Sequence, residues 1–227
     1  SMTNFYGGGE SYIINMIELL KNKYHLVLLI SSQQLMKRIG NNIQVIYEPR
    51  QKYLSYWKHV ISVYRIISRY KINCVLLNGI RENFLCFFLK YTNVKTISIR
   101  HTELHTEQNL TNKLKNQLYI HFTKYADYVV CVSKIVYLNL YKKQVSNLIY
   151  IPNWANSEFH SAKRKPMNNG LYNILIASRL DKMKGHLVLF DACKNLKNIQ
   201  IHVVGNGPSE NEFIEYSKNL NVVFHGY

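Results

Sequence analysis

The chain has 227 residues, 47% of them apolar, enough to form the core of one large domain or two small ones. Its longest apolar runs, such as residues 26–30, are far shorter than the roughly 18–20 residues of a spanning helix, which argues against an integral membrane protein. The formal net charge is +16, and residues 1–150 carry 20 Lys and Arg against 7 Asp and Glu. This surplus favours polyanionic partners: nucleic acid, anionic lipid headgroups or phosphorylated substrates.

Short apolar runs rich in β-branched residues alternate with segments of helical spacing through the first 152 residues. The predicted strands are residues 25–31, 43–47, 72–78, 94–99, 127–132 and 148–152. The predicted helices are residues 9–22, 53–70, 82–91, 110–125 and 134–144. Such alternation predicts βα units and a parallel sheet with helices on both faces.

The alternation of strand and helix patterns stops at residues 153–170. These residues are polar, show neither a helical nor a strand period and contain Pro166 and Gly170. These features predict an interdomain linker. The alternation then resumes, with strands predicted at residues 172–177, 199–205 and 221–225 and helices at residues 185–195 and 209–219. Three strands and two helices make about half of a Rossmann-like domain. We therefore predict an N-terminal domain of residues 1–152, the linker, and a partial C-terminal domain of residues 171–227.

The four cysteines are far apart in the sequence, and none forms a CxxC pair or a Cys/His spacing typical of a metal site: Cys74, Cys86, Cys131 and Cys193. Most of them lie in apolar segments. This distribution predicts buried, reduced thiols in a cytoplasmic protein.

Three glycines, Gly7, Gly8 and Gly9, precede the first predicted helix. Backbone N–H groups at a helix N-terminus attract phosphate. No GK[ST] follows the glycines and no strand precedes them, so they form neither a P-loop nor a dinucleotide fingerprint. A flexible terminus or a simple turn is the alternative interpretation.

A second glycine turn, Gly205 and Gly207, follows the predicted strand at residues 199–205. The third glycine of a dinucleotide-binding loop is missing. The pattern therefore favours a tight strand-to-helix turn, with Pro208 starting the helix, over a nucleotide-binding loop.

Two cations follow the strand predicted at residues 172–177. Arg179 lies just past its carboxyl end, where open α/β sheets bind ligands, and Lys184 lies close to the start of the next helix. We expect both charges to be unpaired, so that guanidinium, ammonium and helix N-terminus converge on one point, an arrangement that suits a diphosphate. Unrelated surface charge is the alternative.

Six pieces, in this order, resemble a retaining glycosyltransferase of the GT-B fold, similar to family 4. They are GGGES near the start, IRHTE at 99–103, ADYVVCVS at 126–133, IPNWANSEF at 151–159, ASRLDKMKG at 177–185 and IHVVGNGP at 201–208. The resemblance implies an α/β fold of GT-B type, in which two Rossmann-like domains have parallel sheets and the second is incomplete in this chain.

The family binds its nucleotide-sugar donor mainly on the second domain and its acceptor mainly on the first. The resemblance therefore implies that Arg179 and Lys184 hold the donor diphosphate and that the three N-terminal glycines approach it with backbone amides. His101 matches a histidine near the transferring sugar, although a lone histidine is often only a structural hydrogen-bonding group. Retention of anomeric configuration by front-side attack is implied, with the departing diphosphate taking the acceptor proton and no metal or cofactor required.

Family members continue past the FHGY segment to two glutamates separated by seven residues. We therefore expect this chain to be a truncated form of a longer enzyme, inactive alone. The leading hypothesis is a hexosyltransferase of lipopolysaccharide, O-antigen or capsule synthesis. Two alternatives stay open: a non-catalytic glycosyltransferase-like subunit completed by another chain, and a basic nucleic-acid-binding protein suggested by charge alone.

Residues 49–81 contain no Asp or Glu, and on the predicted helix Lys58, Arg65 and Arg69 cluster on one face. Four apolar side chains lie elsewhere around that helix: Trp57, Ile61, Tyr64 and Ile67. A basic amphipathic helix with aromatic residues predicts peripheral association with an anionic membrane surface, on the cytoplasmic side of the plasma membrane, where a lipid-linked or glycan acceptor would arrive. A helix packed on the sheet with a solvated basic face is the alternative.

Overall fold

The computed structural model describes residues 8–39, 43–49, 56–79, 81–101, 110–154 and 170–226. The chain divides into two compact units, Ser1–His160 and Ser161–Tyr227. Most of the linker predicted at residues 153–170 lies outside the described residues. No helix in the described part of the chain has the length and apolar character needed to cross a bilayer.

The first unit alternates strands and helices in the predicted order. Its strands are β1 (Val27–Ile30), β2 (Gln44–Tyr47), β3 (Cys74–Asn78), β4 (Lys95–Arg100), β5 (Tyr128–Cys131) and β6 (Leu148–Tyr150). Its helices are α1 (Gly8–Leu20), α2 (Gln33–Arg38), α3 (Tyr56–Tyr70), α4 (Phe84–Leu89), α5 (Leu110–Thr123) and α6 (Lys134–Lys142), and a 3-10 turn at Arg81–Asn83 leads into α4. Helix α2 was not predicted, because six residues are too few to display a helical period.

All strand pairs of the first unit are parallel: β1 pairs with β2, and β3, β4, β5 and β6 form a second sheet in that order. Alternate residues of β5 face opposite sides. Val130 lies with Tyr12 of α1 in one buried cluster, whereas Val129 and Cys131 lie in another with residues of α3, α4 and α6. Helices thus cover both faces of this sheet, which confirms the predicted α/β architecture.

Residues 170–226 of the second unit form three parallel strands in the order β7 (Tyr172–Ala177), β8 (Ile199–Val204) and β9 (Val222–Phe224). Helix α7 (His186–Cys193) follows a 3-10 turn at Lys182–Lys184, and helix α8 (Glu210–Tyr216) connects β8 to β9. Both helices contribute to a core that includes the fully buried Phe190 and Phe213. The second sheet and its core are therefore built as the sequence predicts.

Two predictions of detail are wrong. Cys74 is exposed, because it begins the edge strand β3, whereas Cys86, Cys131 and Cys193 are buried; all four thiols are free. Pro208 does not start α8, which begins at Glu210. The N–H of the intervening Ser209 donates to the Leu180 carbonyl at 3.1 Å, so Pro208 belongs to the turn that precedes the helix.

Candidate functional site

The loop between β7 and α7 carries the predicted diphosphate-binding cations, and it also carries their counter-ion. Arg179 Nη2 donates to Asp181 Oδ2 at 2.7 Å, while Asp181 Oδ1 accepts from the Met183 N–H at 3.1 Å and caps the 3-10 turn. The Met183 N–H, together with the charges of Arg179 and Lys184, lowers the pKa of Asp181. The expectation of unpaired cations is therefore wrong for Arg179.

The error has a local cause. An Asp side chain readily bonds to the backbone N–H two residues later, and this bond folds the carboxylate back over its own loop. Asp181 lies directly before the 3-10 turn that begins at Lys182, in the position from which an Asp side chain caps such a turn. The signal for this bond was therefore present in the sequence. After the turn, Gly185 adopts a left-handed conformation with φ of 78°, and α7 begins at His186. Lys184 thus lies two residues before the first residue of α7, close to the start of that helix as predicted.

Gly205 and Gly207 hold this loop by close backbone contact. A Cβ added to Gly205 would lie 2.1 Å from the Ser178 carbonyl oxygen, and one added to Gly207 would lie 2.2 Å from the Leu180 carbonyl oxygen. Asn206 lies between the two glycines, and its carbonyl accepts a hydrogen bond from the Leu180 N–H at 2.9 Å. This backbone contact by itself requires both glycines, without any contact to a nucleotide.

His186 contacts the same loop from the core of the second unit. This role was not predicted from the sequence. The side chain is fully buried and stacks on Phe213 with ring centroids 4.7 Å apart. Its Nε2 lies 3.3 Å from the Ser178 hydroxyl oxygen. Burial lowers the pKa of His186, which keeps the ring neutral at pH 7. The carboxyl end of β7 is thereby tied to the core of the second unit.

In the first unit, His101 follows the carboxyl end of β4 and contacts the end of the neighbouring strand. Its Nε2 lies 2.6 Å from Asn78 Oδ1, and because an amide oxygen only accepts, Nε2 carries the proton and Nδ1 keeps a lone pair. The Tyr12 ring packs edge-on against His101 at 4.8 Å, and Trp154 lies 5.2 Å from Tyr12. Burial lowers the pKa of His101, so the ring is neutral at pH 7.

This arrangement makes His101 an oriented hydrogen-bond acceptor for a hydroxyl group. The sequence argument selected His101 but not Asn78, Tyr12 or Trp154. Asn78 had a usable signal, since it is the polar residue that ends an apolar strand at the ligand-binding edge of a parallel sheet. Tyr12 and Trp154 had none, because their proximity depends on how α1 and the segment after β6 pack.

The N-terminal glycines are only partly described: Gly7 lies outside the described residues, and Gly8 and Gly9 form the first turn of α1. A Cβ on either would meet nothing within 4 Å, so packing does not require a glycine there. The first N–H groups of a helix have no partner within the helix and can bind an anion.

Helix α3 places Lys58, Arg65 and Arg69 in solvent, as predicted. Its inner side contributes the buried Val60 and Val63 to the core. Three of the apolar residues predicted to lie apart from these cations, Trp57, Ile61 and Tyr64, are also exposed. Among the residues that the structure describes, no cluster of three or more His, Cys, Asp or Glu could hold a metal ion.

The chain is similar in sequence to one protein family and in fold to several solved structures. The family model for Glycosyltransferase Family 4 matches residues 6–159. No curated protein sequence matches the chain significantly. The solved structures that resemble it include HepE, WaaB and sucrose-phosphate synthase, each at low sequence identity.

HepE from Anabaena, in complex with UDP-glucose, superimposes with a TM-score of 0.77 at 15% identity over 100% of this chain and 67% of its own. The lipopolysaccharide outer core galactosyltransferase WaaB gives 0.71 at 17% identity, covering 100% of this chain and 66% of its own. Sucrose-phosphate synthase from Thermosynechococcus elongatus gives 0.69 at 17% identity, covering 97% and 65%.

This chain therefore spans about two thirds of the length of these structures. The similarity shows a GT-B-type fold, and the family match covers more than half of the chain. The protein belongs to glycosyltransferase family 4.

Proposed function

We propose that this protein acts as a retaining glycosyltransferase that moves a hexose from a nucleotide sugar to a lipid-linked or polysaccharide acceptor in lipopolysaccharide, O-antigen or capsule synthesis. The observation that carries the proposal is the loop after β7, which positions Arg179 and Lys184 beyond the carboxyl end of a parallel strand in a family 4 chain. The UDP and UDP-glucose complexes of HepE support the donor class, and the outer core activity of WaaB supports the acceptor class.

The donor diphosphate would be bound by Arg179 and Lys184. Cleavage of the sugar–phosphate bond leaves negative charge on the leaving group, so fixed cations at that point stabilise the transition state more than the ground state. A charge-assisted hydrogen bond contributes about 1.5–3 kcal/mol, and loss of either cation should therefore weaken donor binding strongly. Arg179 would exchange its bond with Asp181 for one with phosphate.

The sugar would lie near His101, whose Nδ1 lone pair can accept a hydrogen bond from a sugar hydroxyl. The amides of Gly8 and Gly9 at the N-terminus of α1 would approach the diphosphate. We propose front-side attack with retention, in which the departing diphosphate takes the acceptor proton, with no metal or other cofactor. The acceptor would bind the basic first unit, and the enzyme would associate peripherally with the inner face of the plasma membrane.

The test is to titrate UDP, GDP and the corresponding nucleotide sugars into the 227-residue chain, each up to millimolar concentration. Binding is monitored by calorimetry and by NMR. We expect one nucleotide to bind, and Arg179→Ala or Lys184→Ala to abolish that binding. Lys182→Ala is the matched control, because Lys182 lies in the same turn but pairs with Glu212 at 2.8 Å.

Equal loss in the Lys182→Ala variant, or no response to any nucleotide, would contradict the proposal. Tight binding of an oligonucleotide by a chain that ignores every nucleotide would instead favour the nucleic-acid-binding alternative. Copurification of a second chain that restores nucleotide binding would favour a non-catalytic subunit.

A further inference from the structure

Helix α3 has an exposed surface in which an apolar strip runs beside a row of cations. The helical repeat places Trp57, Ile61 and Tyr64 within an arc of about 60°, and Lys58, Arg65 and Arg69 within the adjoining arc of about 40°. Trp57 is 63% exposed and Ile61 49% exposed, while the opposite side of the helix is buried at Val60 and Val63. These six exposed residues are called the α3 face below.

The apolar strip of the α3 face is held in place by α4. The Tyr64 hydroxyl donates to the Phe88 carbonyl at 2.6 Å, and the Trp57 ring packs edge-on against the Phe88 ring at 5.1 Å. Both aromatic side chains are therefore ordered before any partner arrives, which reduces the entropy lost when a partner binds. Exposed aromatic side chains fixed in this way are typical of a contact surface rather than of scattered surface residues.

Within the described part of the chain, the cations of the α3 face form no ion pair with an acidic side chain. None of the ion pairs found among the described residues involves Lys58, Arg65 or Arg69, although the Arg69 guanidinium lies 5.5 Å from the centre of the Tyr70 ring. Residues 49–81 and 83–102 contain no Asp or Glu, so the charged side chains of α3 are all basic and α4 carries no charge. The three cations extend along about 16 Å of helix, and their field favours an extended anionic surface.

We propose that the α3 face docks on an anionic lipid bilayer, with Trp57 and Ile61 entering the headgroup region and Lys58, Arg65 and Arg69 contacting lipid phosphates. The proposal deepens the membrane association given under the proposed function and rests on it. Tryptophan prefers the membrane–water interface, and basic side chains beside an apolar strip anchor a helix parallel to that plane.

The arrangement fits a bilayer better than a nucleic acid. Single-stranded nucleic acids bind where aromatic rings alternate with cations and present free faces for base stacking. On the α3 face the aliphatic Ile61 lies in the middle of the strip, and the cations lie along one side of it. A lipid surface needs only this segregation of apolar and basic residues.

Helix α6 supplies a matched control. It exposes Ile135, Leu138 and Tyr141 near Lys134 and Lys142, but no tryptophan. Replacing Lys134, Lys142 and the adjacent Lys143 by Gln changes the net charge of the protein as much as Lys58→Gln/Arg65→Gln/Arg69→Gln does. The pair of triple variants therefore separates a local docking surface from a general effect of charge.

The experiment is sedimentation with vesicles of phosphatidylcholine containing about 30 mol% phosphatidylglycerol, at low salt. Each basic residue at a membrane surface changes the partition coefficient about fivefold, so the α3 triple variant should bind about 100-fold more weakly than the wild type. The α6 triple variant should bind within about threefold of wild type. Equal losses in the two variants, or retained binding by the α3 variant, would overturn the proposal.

Two further readouts test insertion and separate this proposal from the donor site. In a Trp154→Phe background Trp57 is the remaining tryptophan, and its fluorescence should shift to the blue and be quenched by brominated lipid. Unchanged fluorescence on bound vesicles would refute docking through this face, as would an oligonucleotide that binds the α3 face while vesicles do not. If vesicles bind but no nucleotide does, the donor site is wrong and the docking surface stands; nucleotide binding without vesicle binding gives the reverse conclusion.

Discussion

Replacement of Gly205 by alanine tests whether the two glycines exist to hold the cation-bearing loop. The new Cβ would lie 2.1 Å from the Ser178 carbonyl oxygen and 3.0 Å from its carbon, so one of the two backbone segments must move by about 1 Å to reach ordinary contact. The hydrogen bonds at risk include Ser178 N–H to Val204 O at 3.0 Å and Leu180 N–H to Asn206 O at 2.9 Å.

The magnitude follows from these contacts. Each disturbed backbone hydrogen bond contributes about 1 kcal/mol. A side chain at the φ of 135° found for Gly205 adds strain of about 1–2 kcal/mol. We expect Gly205→Ala to destabilise the second unit by about 3–4 kcal/mol, a large part of the stability of a small domain.

The measurement is hydrogen exchange of the amides of β7 and β8 in wild type and variant, which reports on the second unit alone. Gly170→Ala is the control, because Gly170 also has a positive φ, of 74°, but its Cβ would meet nothing within 4 Å. That control should lose only about 1 kcal/mol. If Gly205→Ala loses no more protection than Gly170→Ala, the explanation of the glycines by close backbone contact is refuted.

Three further predictions concern charge and accessibility. Asp181→Asn keeps the oxygen that caps the turn but removes the charge that competes for the neighbouring cations, so inorganic diphosphate should bind up to about fivefold more tightly by calorimetry; unchanged or weaker binding would contradict this. Burial lowers the pKa of His101 in the folded protein below the usual histidine pKa of 6.5. As the pH is lowered, His101 therefore takes up its proton first in the unfolded chain, and the folded state becomes less stable. His101→Asn should flatten that fall in Tm between about pH 7 and about pH 5.5, and an unaltered slope would show that other groups cause it. Iodoacetamide should modify the exposed Cys74 in the native protein but not Cys86, where burial raises the pKa of the thiol to about 12. Peptide mass spectrometry measures the extent of modification at each cysteine, and faster modification of Cys86 than of Cys74 would contradict the prediction.

Much of the fold could be predicted because its signals are local. Strand β7 begins and ends at the predicted residues, and the other predicted strands differ from the observed ones by a few residues at their ends. Apolar runs and helical spacing belong to single segments, so they survive without knowledge of the rest of the chain. The positions of Arg179 and His101 after strand ends were visible for the same reason.

The tertiary structure decided which side chains meet. His101 contacts Asn78, 23 residues away, only because β3 and β4 are neighbours in parallel register. The reason for Gly205 lies in the backbone of Ser178 on another loop.

By itself, then, the sequence determined the order of helices and strands, the concentration of positive charge in the first 150 residues, and the angular positions of side chains on α3. The tertiary structure decided that His101 meets Asn78 and that Trp57 faces solvent beside the cations. The physical reason is that a period specifies the faces of a segment, whereas the packing of neighbouring elements determines which of those faces is buried.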